Sequence, residues 1–149
     1  MFRGQFTHAI DAKGRTSLPS RFRESMGGDD GDLRLVLTPA LFDPCIHVFP
    51  FASWEVFEAR VAQMPQFDPN VVRLRRLYVS AAVECDLDKQ GRVLVPAHLR
   101  THAGLDREVL WAGVGNKAEL WASERWESAN QMAPEDWDNL KAAMAGWRL

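Results

Sequence analysis

The segment Ile10-Asp11-Ala12-Lys13-Gly14-Arg15-Thr16-Ser17-Leu18-Pro19-Ser20-Arg21-Phe22-Arg23 lies without a gap over Leu87-Asp88-Lys89-Gln90-Gly91-Arg92-Val93-Leu94-Val95-Pro96-Ala97-His98-Leu99-Arg100, 77 positions further along. Aspartate, glycine, arginine, proline and a closing arginine coincide, and apolar positions coincide around them. A second block agrees as well: Val48-Phe49-Pro50-Phe51-Ala52-Ser53-Trp54-Glu55 lies over Leu120-Trp121-Ala122-Ser123-Glu124-Arg125-Trp126-Glu127, 72 positions on. The second copy is therefore five residues shorter between the blocks, and the missing length is assigned to Gly27-Gly28-Asp29-Asp30-Gly31, which has the composition of a surface loop. Self-similarity of this kind means one supersecondary unit built twice around a shared core.

Both copies read alike. Aspartate followed three residues later by glycine suits a tight type I turn, with Gly14 and Gly91 where a positive φ is needed. Each turn predicts a hairpin, with strands over 2–10 and 15–18 around the first and over 79–87 and 92–95 around the second. Pro19 and Pro96 then open short helices that Gly27 and Gly104 close. An apolar strand pair follows, 33–37 with 45–49 in copy one and 109–113 with 118–121 in copy two. A longer helix comes next, with Ser53 and Ser123 placed to cap it, and Trp54, Phe57, Val61 and Met64 at helical spacing in copy one.

Asp68-Pro69 reads as the cap and first turn of a helix to about Tyr78 that joins the copies. A last helix over 134–145 carries Trp137, Leu140 and Met144 on one side and stops at Gly146. The predicted division is repeat one over 1–67, a linking helix over 68–78, repeat two over 79–132 and a C-terminal helix over 133–149. Two short strand-rich copies cannot each bury a sheet face alone. The expected fold is α+β, one partly barrel-like β body with helices at its periphery.

Across 149 residues, 46% are hydrophobic, enough for a globular core. The net charge of -2 neither advertises nor excludes a polyanionic partner, so the distribution decides. Residues 1–25 hold Arg3, Lys13, Arg15, Arg21 and Arg23 against Asp11 and Glu24, whereas residues 105–149 hold more acidic than basic side chains. A mildly acidic protein can thus present a basic face. Cys45 and Cys85 each stand alone in an apolar stretch, which argues against a disulfide framework. No apolar run of signal-peptide length follows Met1, and no window approaches the roughly 20 apolar residues of a membrane span, so a cytoplasmic location is expected.

With these residues in view, the chain resembles the MraZ family of bacterial transcriptional regulators. The resemblance rests on Met1-Phe2-Arg3-Gly4, on both Asp-x-x-x-Arg signatures (Asp11 to Arg15 and Asp88 to Arg92) and on Arg75-Arg76-Leu77-Tyr78. It implies two tandem AbrB-like repeats of the swapped-hairpin type, imitating within one chain the two subunits of a dimer, and a ring-like homo-oligomer. It implies double-stranded DNA as the partner, read at short G-rich direct repeats in the promoter of the division and cell-wall gene cluster, with transcription lowered and the protein associated with the nucleoid. Matched by position, Lys13, Arg15 and Arg92 face DNA, and Arg3 and Arg21 add to the basic face of copy one. Copy two has Gln90 in place of Lys13 and His98 in place of Arg21, so copy one is expected to carry the larger share. No cofactor, small-molecule substrate or membrane partner is implied.

Several residues have plainer readings. Asp11 and Asp88 satisfy backbone amides at the first corner of a turn. Arg15 and Arg92 either pair with those aspartates or offer a planar five-donor fork to a phosphate or base edge. Arg73, Arg75 and Arg76 suit a solvated helix face. His98 and His102 stand four apart but lack a third ligand, so no metal is expected there. Gly113-Val114-Gly115 is too short a fragment to mark a nucleotide site, and the tryptophans suit core or subunit packing. There is no glycine-rich phosphate loop, metal-spaced carboxylate cluster or nucleophile elbow, so an enzyme such as a methyltransferase or nuclease is not expected. A ring-forming scaffold for a protein partner, with its arginines only stabilising hairpins, is the competing reading.

Overall fold

The computed structural model describes residues 1–26 and 33–149. Along the chain run β1 (Phe2–Ala9), β2 (Arg15–Ser17), α1 (Ser20–Ser25), β3 (Arg34–Pro39), β4 (Ile46–Pro50) and α2 (Phe51–Ala62). Then come α3 (Pro69–Leu74), a π-helical turn (Arg75–Val79), β5 (Val83–Asp86), β6 (Arg92–Leu94) and α4 (Ala97–Ala103). The chain finishes with β7 (Glu108–Gly115), β8 (Ala118–Ala122), α5 (Ser123–Ala129) and α6 (Pro134–Gly146). The expected loop 27–31, and Gly27 as a helix end, lie outside the described residues.

Both glycine turns form where the sequence places them. What differs is the pairing of the strands around them. Asp11 and Arg15 close the first turn by a backbone bond of 3.0 Å, but beyond a single Ile10–Thr16 bridge the strands do not zip into a hairpin. β2 instead pairs antiparallel with β6 of the other copy, and β1 pairs along its whole length with β7. β5 crosses to β3 in the same way. The result is an open six-stranded antiparallel sheet, β1-β7-β8-β4-β3-β5, with the β2-β6 ribbon as a separate layer. This is a partly barrel-like α+β body without a closed barrel. Exchange of strands is the physical answer to copies too short to bury a sheet face alone.

One face of the sheet packs Leu35, Leu37, Ile46, Val48, Trp111 and Leu120 against Val93 and Val95 of the ribbon region and against Phe22 and Leu99 of α1 and α4. The other face packs Val36 and Phe49 against Trp54 of α2 and Tyr78 of the π turn. β3 is therefore buried on both sides, which explains its continuous apolar run. At the sheet centre, His47 of β4 lies opposite Glu119 of β8. The nearby His47 imidazole, with Nε2 at 3.5 Å from Oε2, is the largest influence on the Glu119 carboxyl, holding it below the ordinary value despite desolvation.

Three local expectations are corrected. Neither Ser53 nor Ser123 caps its helix: α2 begins at Phe51 behind Pro50, and α5 begins at Ser123 itself behind Ala122. Strands β4 and β8 run straight into these helices, so the serines fall inside the first turn. Val79 closes the π turn rather than opening a strand, because Tyr78 is stacked on Trp54 with its carbonyl accepting from the Thr38 hydroxyl at 2.7 Å. The last helix runs through Gly146, and Arg148 takes the left-handed φ of 61°. Asp68 does cap α3, its carboxylate accepting from the Asn70 amide at 2.8 Å. Gly104 closes α4 in the left-handed region. Among the described residues, no helix is long and apolar enough to cross a membrane.

Candidate nucleic-acid interface

Strand alternation divides the β2-β6 ribbon into two faces. Thr16 and Val93 oppose each other and are buried, so Arg15, Ser17, Arg92 and Leu94 all lie on the outer face. Each arginine is held from its own turn. Asp11 accepts from the Arg15 amide at 2.9 Å and the Lys13 amide at 3.0 Å, while its second oxygen accepts from Arg15 Nε at 2.7 Å. Asp88 repeats the arrangement: the Arg92 and Gln90 amides donate at 2.9 Å and Arg92 Nε at 2.8 Å.

The two plain readings of these arginines thus meet in one geometry. The aspartate uses Nε only, and among the described residues no further partner engages the terminal nitrogens of Arg15 or Arg92. A guanidinium fixed through Nε and open at its two terminal NH2 groups is a preset fork for a bidentate acceptor. As the exposed ion pair itself contributes little stability, its main physical effect is orientation.

Acid should release that orientation. Backbone donation from Arg15, followed by its side-chain bond, lowers the Asp11 carboxyl to about 2. The folded value lies below the unfolded one, so the contribution is present above the ordinary carboxylate range and fades as pH falls through about 2. Carboxyl NMR of Asp11 is expected to show a midpoint well below that of an unperturbed aspartate, with Lys13 and Arg15 amide protection lost in step. An ordinary midpoint would refute the turn geometry.

The strand exchange brings in Arg100, which the sequence reading missed, and moves Arg23, counted there with copy one, to the turn of copy two. Arg100 of α4 donates through Nε to the Val95 carbonyl at 3.1 Å, and that nitrogen sits 2.7 Å from where a Cβ on Gly14 would lie. The end of the Arg23 side chain of α1 lies against Gly91. These are the closing arginines of the repeated segment, so the alignment contained them, but only the exchange puts each at the other copy's turn. Lys89 was also missed. It stands one place before Gln90, out of alignment with Lys13. One turn therefore gathers Lys13, Arg15 and Arg100, and the other Lys89, Arg92 and Arg23. The formal charges are equal, which removes the charge argument for a dominant copy one.

Arg3 and Arg21 meet elsewhere. They line a shallow groove of about 690 Å³ with Met1, Phe22 and Glu24. Arg3 occupies the far end of β1 from the turn, roughly 20 Å of strand away. Arg75 and Arg76 border a further depression with Val72, Val79 and Ser80. His98 and His102 are exposed on α4, and among the described residues no third ligand joins them. Gly113 has a structural reason: a Cβ there would run into the backbone of Phe2 and Arg3, so the residue permits the close approach of β1 to β7.

The tryptophans divide. Trp54, Trp111 and Trp121 are buried, whereas Trp137 and Trp147 are exposed on or beside α6. Trp137, Leu140, Met144 and Leu149 border one apolar hollow.

Comparison with known proteins agrees with the internal repeat. A family model described as "MraZ protein, putative antitoxin-like" matches twice, over residues 1–77 and 78–146. The chain is 40% identical over 146 residues to a protein named transcriptional regulator MraZ from Limosilactobacillus fermentum, covering 98% of each. It is 38% identical to the protein of that name from Carboxydothermus hydrogenoformans over 149 residues, the whole of both chains. The Heliobacterium modesticaldum protein of the same name is 40% identical over the same span.

Proposed function

The chain belongs to the MraZ family, and from that premise we propose that it is a sequence-specific DNA-binding transcriptional regulator, not an enzyme, acting in the cytoplasm at the nucleoid. The relatives carry the name transcriptional regulator, which supports the general role. The observation that carries the DNA-binding reading is the pair of aspartate-held guanidinium forks on the outer face of one two-stranded ribbon. A two-stranded ribbon fits the major groove, where an arginine reads guanine bidentately through O6 and N7. Arg15 and Arg92 are assigned to base edges. Lys13, Lys89, Arg23 and Arg100 are assigned to the flanking phosphates, with Arg3 and Arg21 as an outlying contact.

One chain offers few phosphate contacts. Repeated subunits on repeated DNA sites multiply modest affinities through effective concentration. We therefore place the protein in a ring-like homo-oligomer on short direct repeats upstream of its own gene cluster, which it represses. The exposed apolar side chains of α6 favour such self-association.

The test is a mobility shift on DNA from upstream of its own gene, titrated with salt, beside light scattering for mass. The expected result is an oligomer whose binding weakens steeply as salt rises and falls away on unrelated DNA. A monomer at micromolar concentration refutes the ring. An oligomer that shifts no DNA selects the scaffold reading.

A further inference from the structure

We propose that Cys45, His47 and Glu119 form a binding site for a zinc-type divalent cation that fastens the two copies together at the centre of the sheet. Cys45 immediately precedes β4, His47 lies within it, and Glu119 faces His47 from β8 of the other copy. One ligand atom from each of the three lies within 4.8 Å of the others. Thiolate, imidazole and carboxylate together are a ligand set that zinc accepts.

The outer atoms of two ligands are already held. Tyr78 Oη lies 2.6 Å from His47 Nδ1, which leaves Nε2 on the side of Glu119. Trp121 Nε1 donates to Glu119 Oε1 at 3.1 Å, which leaves Oε2 toward His47. Orienting partners of this kind, on the ring nitrogen and carboxylate oxygen away from the metal, are the usual outer support of a zinc site. The ordinary alternative is a histidine satisfied by Tyr78 and Glu119 alone. At 3.5 Å, however, the Nε2 to Oε2 contact is long for a charge-assisted hydrogen bond.

That separation instead matches the roughly 3.5 Å between ligand atoms on one tetrahedral zinc, given bonds of about 2.0 to 2.3 Å. The Cys45 sulfur lies within 4.8 Å of the other two ligand atoms, so it has at most roughly 1 Å to close. Cys45 is fully buried, and the other two side chains are under one-fifth exposed, so bulk water competes weakly.

On binding, the Cys45 thiol gives its proton to solvent as the sulfur–metal bond forms. The imidazole, bound through Nε2, keeps its proton on Nδ1 and donates a hydrogen bond to Tyr78 Oη, and water completes the fourth position. A cation held this way bridges β4 of copy one and β8 of copy two. Because the ligands converge only in the folded chain, it stabilises the fold in proportion to its occupancy.

Cobalt(II) is the probe, because a cobalt–thiolate bond gives a charge-transfer band in the near ultraviolet and cobalt bound only to surface histidines does not. The full-length protein, reduced and stripped with chelator, is expected to show this band at one cobalt per chain and to lose it on adding zinc. Its melting temperature should rise with zinc. Cys45→Ala should abolish the band and the zinc-dependent rise while folding, since alanine replaces a small buried side chain. Cys85→Ala, which removes the only other thiol, should keep both. Tyr78→Phe should bind cobalt about tenfold to a hundredfold more weakly at unchanged stoichiometry. Absence of the band in the parent protein, or its survival in Cys45→Ala, overturns the proposal.

Discussion

Gly14→Val is expected to lower the melting temperature by roughly 10 °C, about 3 kcal/mol in a chain of this length, and to do so by more than Gly91→Val. Two costs combine at Gly14. Its φ of +93° is disfavoured for any side chain and worst for a β-branched one. A Cβ would also lie 2.8 Å from the Val95 carbonyl oxygen, which is backbone and fixed by the neighbouring bond from the Val95 amide to Gly14 O at 2.8 Å. At Gly91 the φ of +76° carries the same conformational cost, but the obstacle is the end of the Arg23 side chain, which can move aside. Alanine separates the two effects: Gly91→Ala should show mainly the φ cost and Gly14→Ala the φ cost plus the collision. Thermal or urea unfolding of the four variants provides the comparison. Equal losses at the two positions would show that the exchanged strands do not approach as described, and unchanged stability throughout would refute the turns themselves.

The contrast between those glycines also marks what was legible in the sequence. Turns, caps and helix starts are set within a few residues, so Asp11 to Gly14, Asp68-Pro69 and Gly104 could be placed from local chemistry. The partner of a three-residue strand could not. Arg15 to Ser17 alternates identically whether it folds back on its own copy or crosses to the other, and only the family resemblance pointed to exchange. What depends on the exchange was hidden with it, including the placement of Arg23 and Arg100 at opposite turns. Helix caps failed for a different reason. Ser53 is a good cap residue, but Pro50 ends β4 and starts α2 without an intervening loop, so the position a cap requires was already taken. The cluster at the sheet centre draws on residues more than 70 positions apart, which no spacing rule connects.

Loss of both base-facing arginines should have the largest effect on function. Arg15→Ala alone is expected to weaken specific DNA binding by on the order of 1.5–3 kcal/mol per subunit, roughly tenfold to a hundredfold. Arg92→Ala should cost a similar amount. The sequence alone favoured copy one, but Lys13, Arg15 and Arg100 at one turn are matched by Lys89, Arg92 and Arg23 at the other, and both arginines are held by the same Nε bond. With several subunits on one promoter the losses compound, so the double variant should bind its operator no better than unrelated DNA. Arg15→Lys keeps the charge but not the planar fork, and should recover nonspecific binding while leaving specificity impaired. Lys13→Ala should behave in the opposite way, weakening all DNA alike and reducing the salt slope by about one. Since Arg15 also anchors on Asp11, each variant must first match the parent in oligomer mass and melting temperature. Given that match, a salt titration in which the Arg15→Ala, Arg92→Ala double variant still prefers its promoter would remove both residues from DNA recognition and move the search to the groove shared by Arg3 and Arg21.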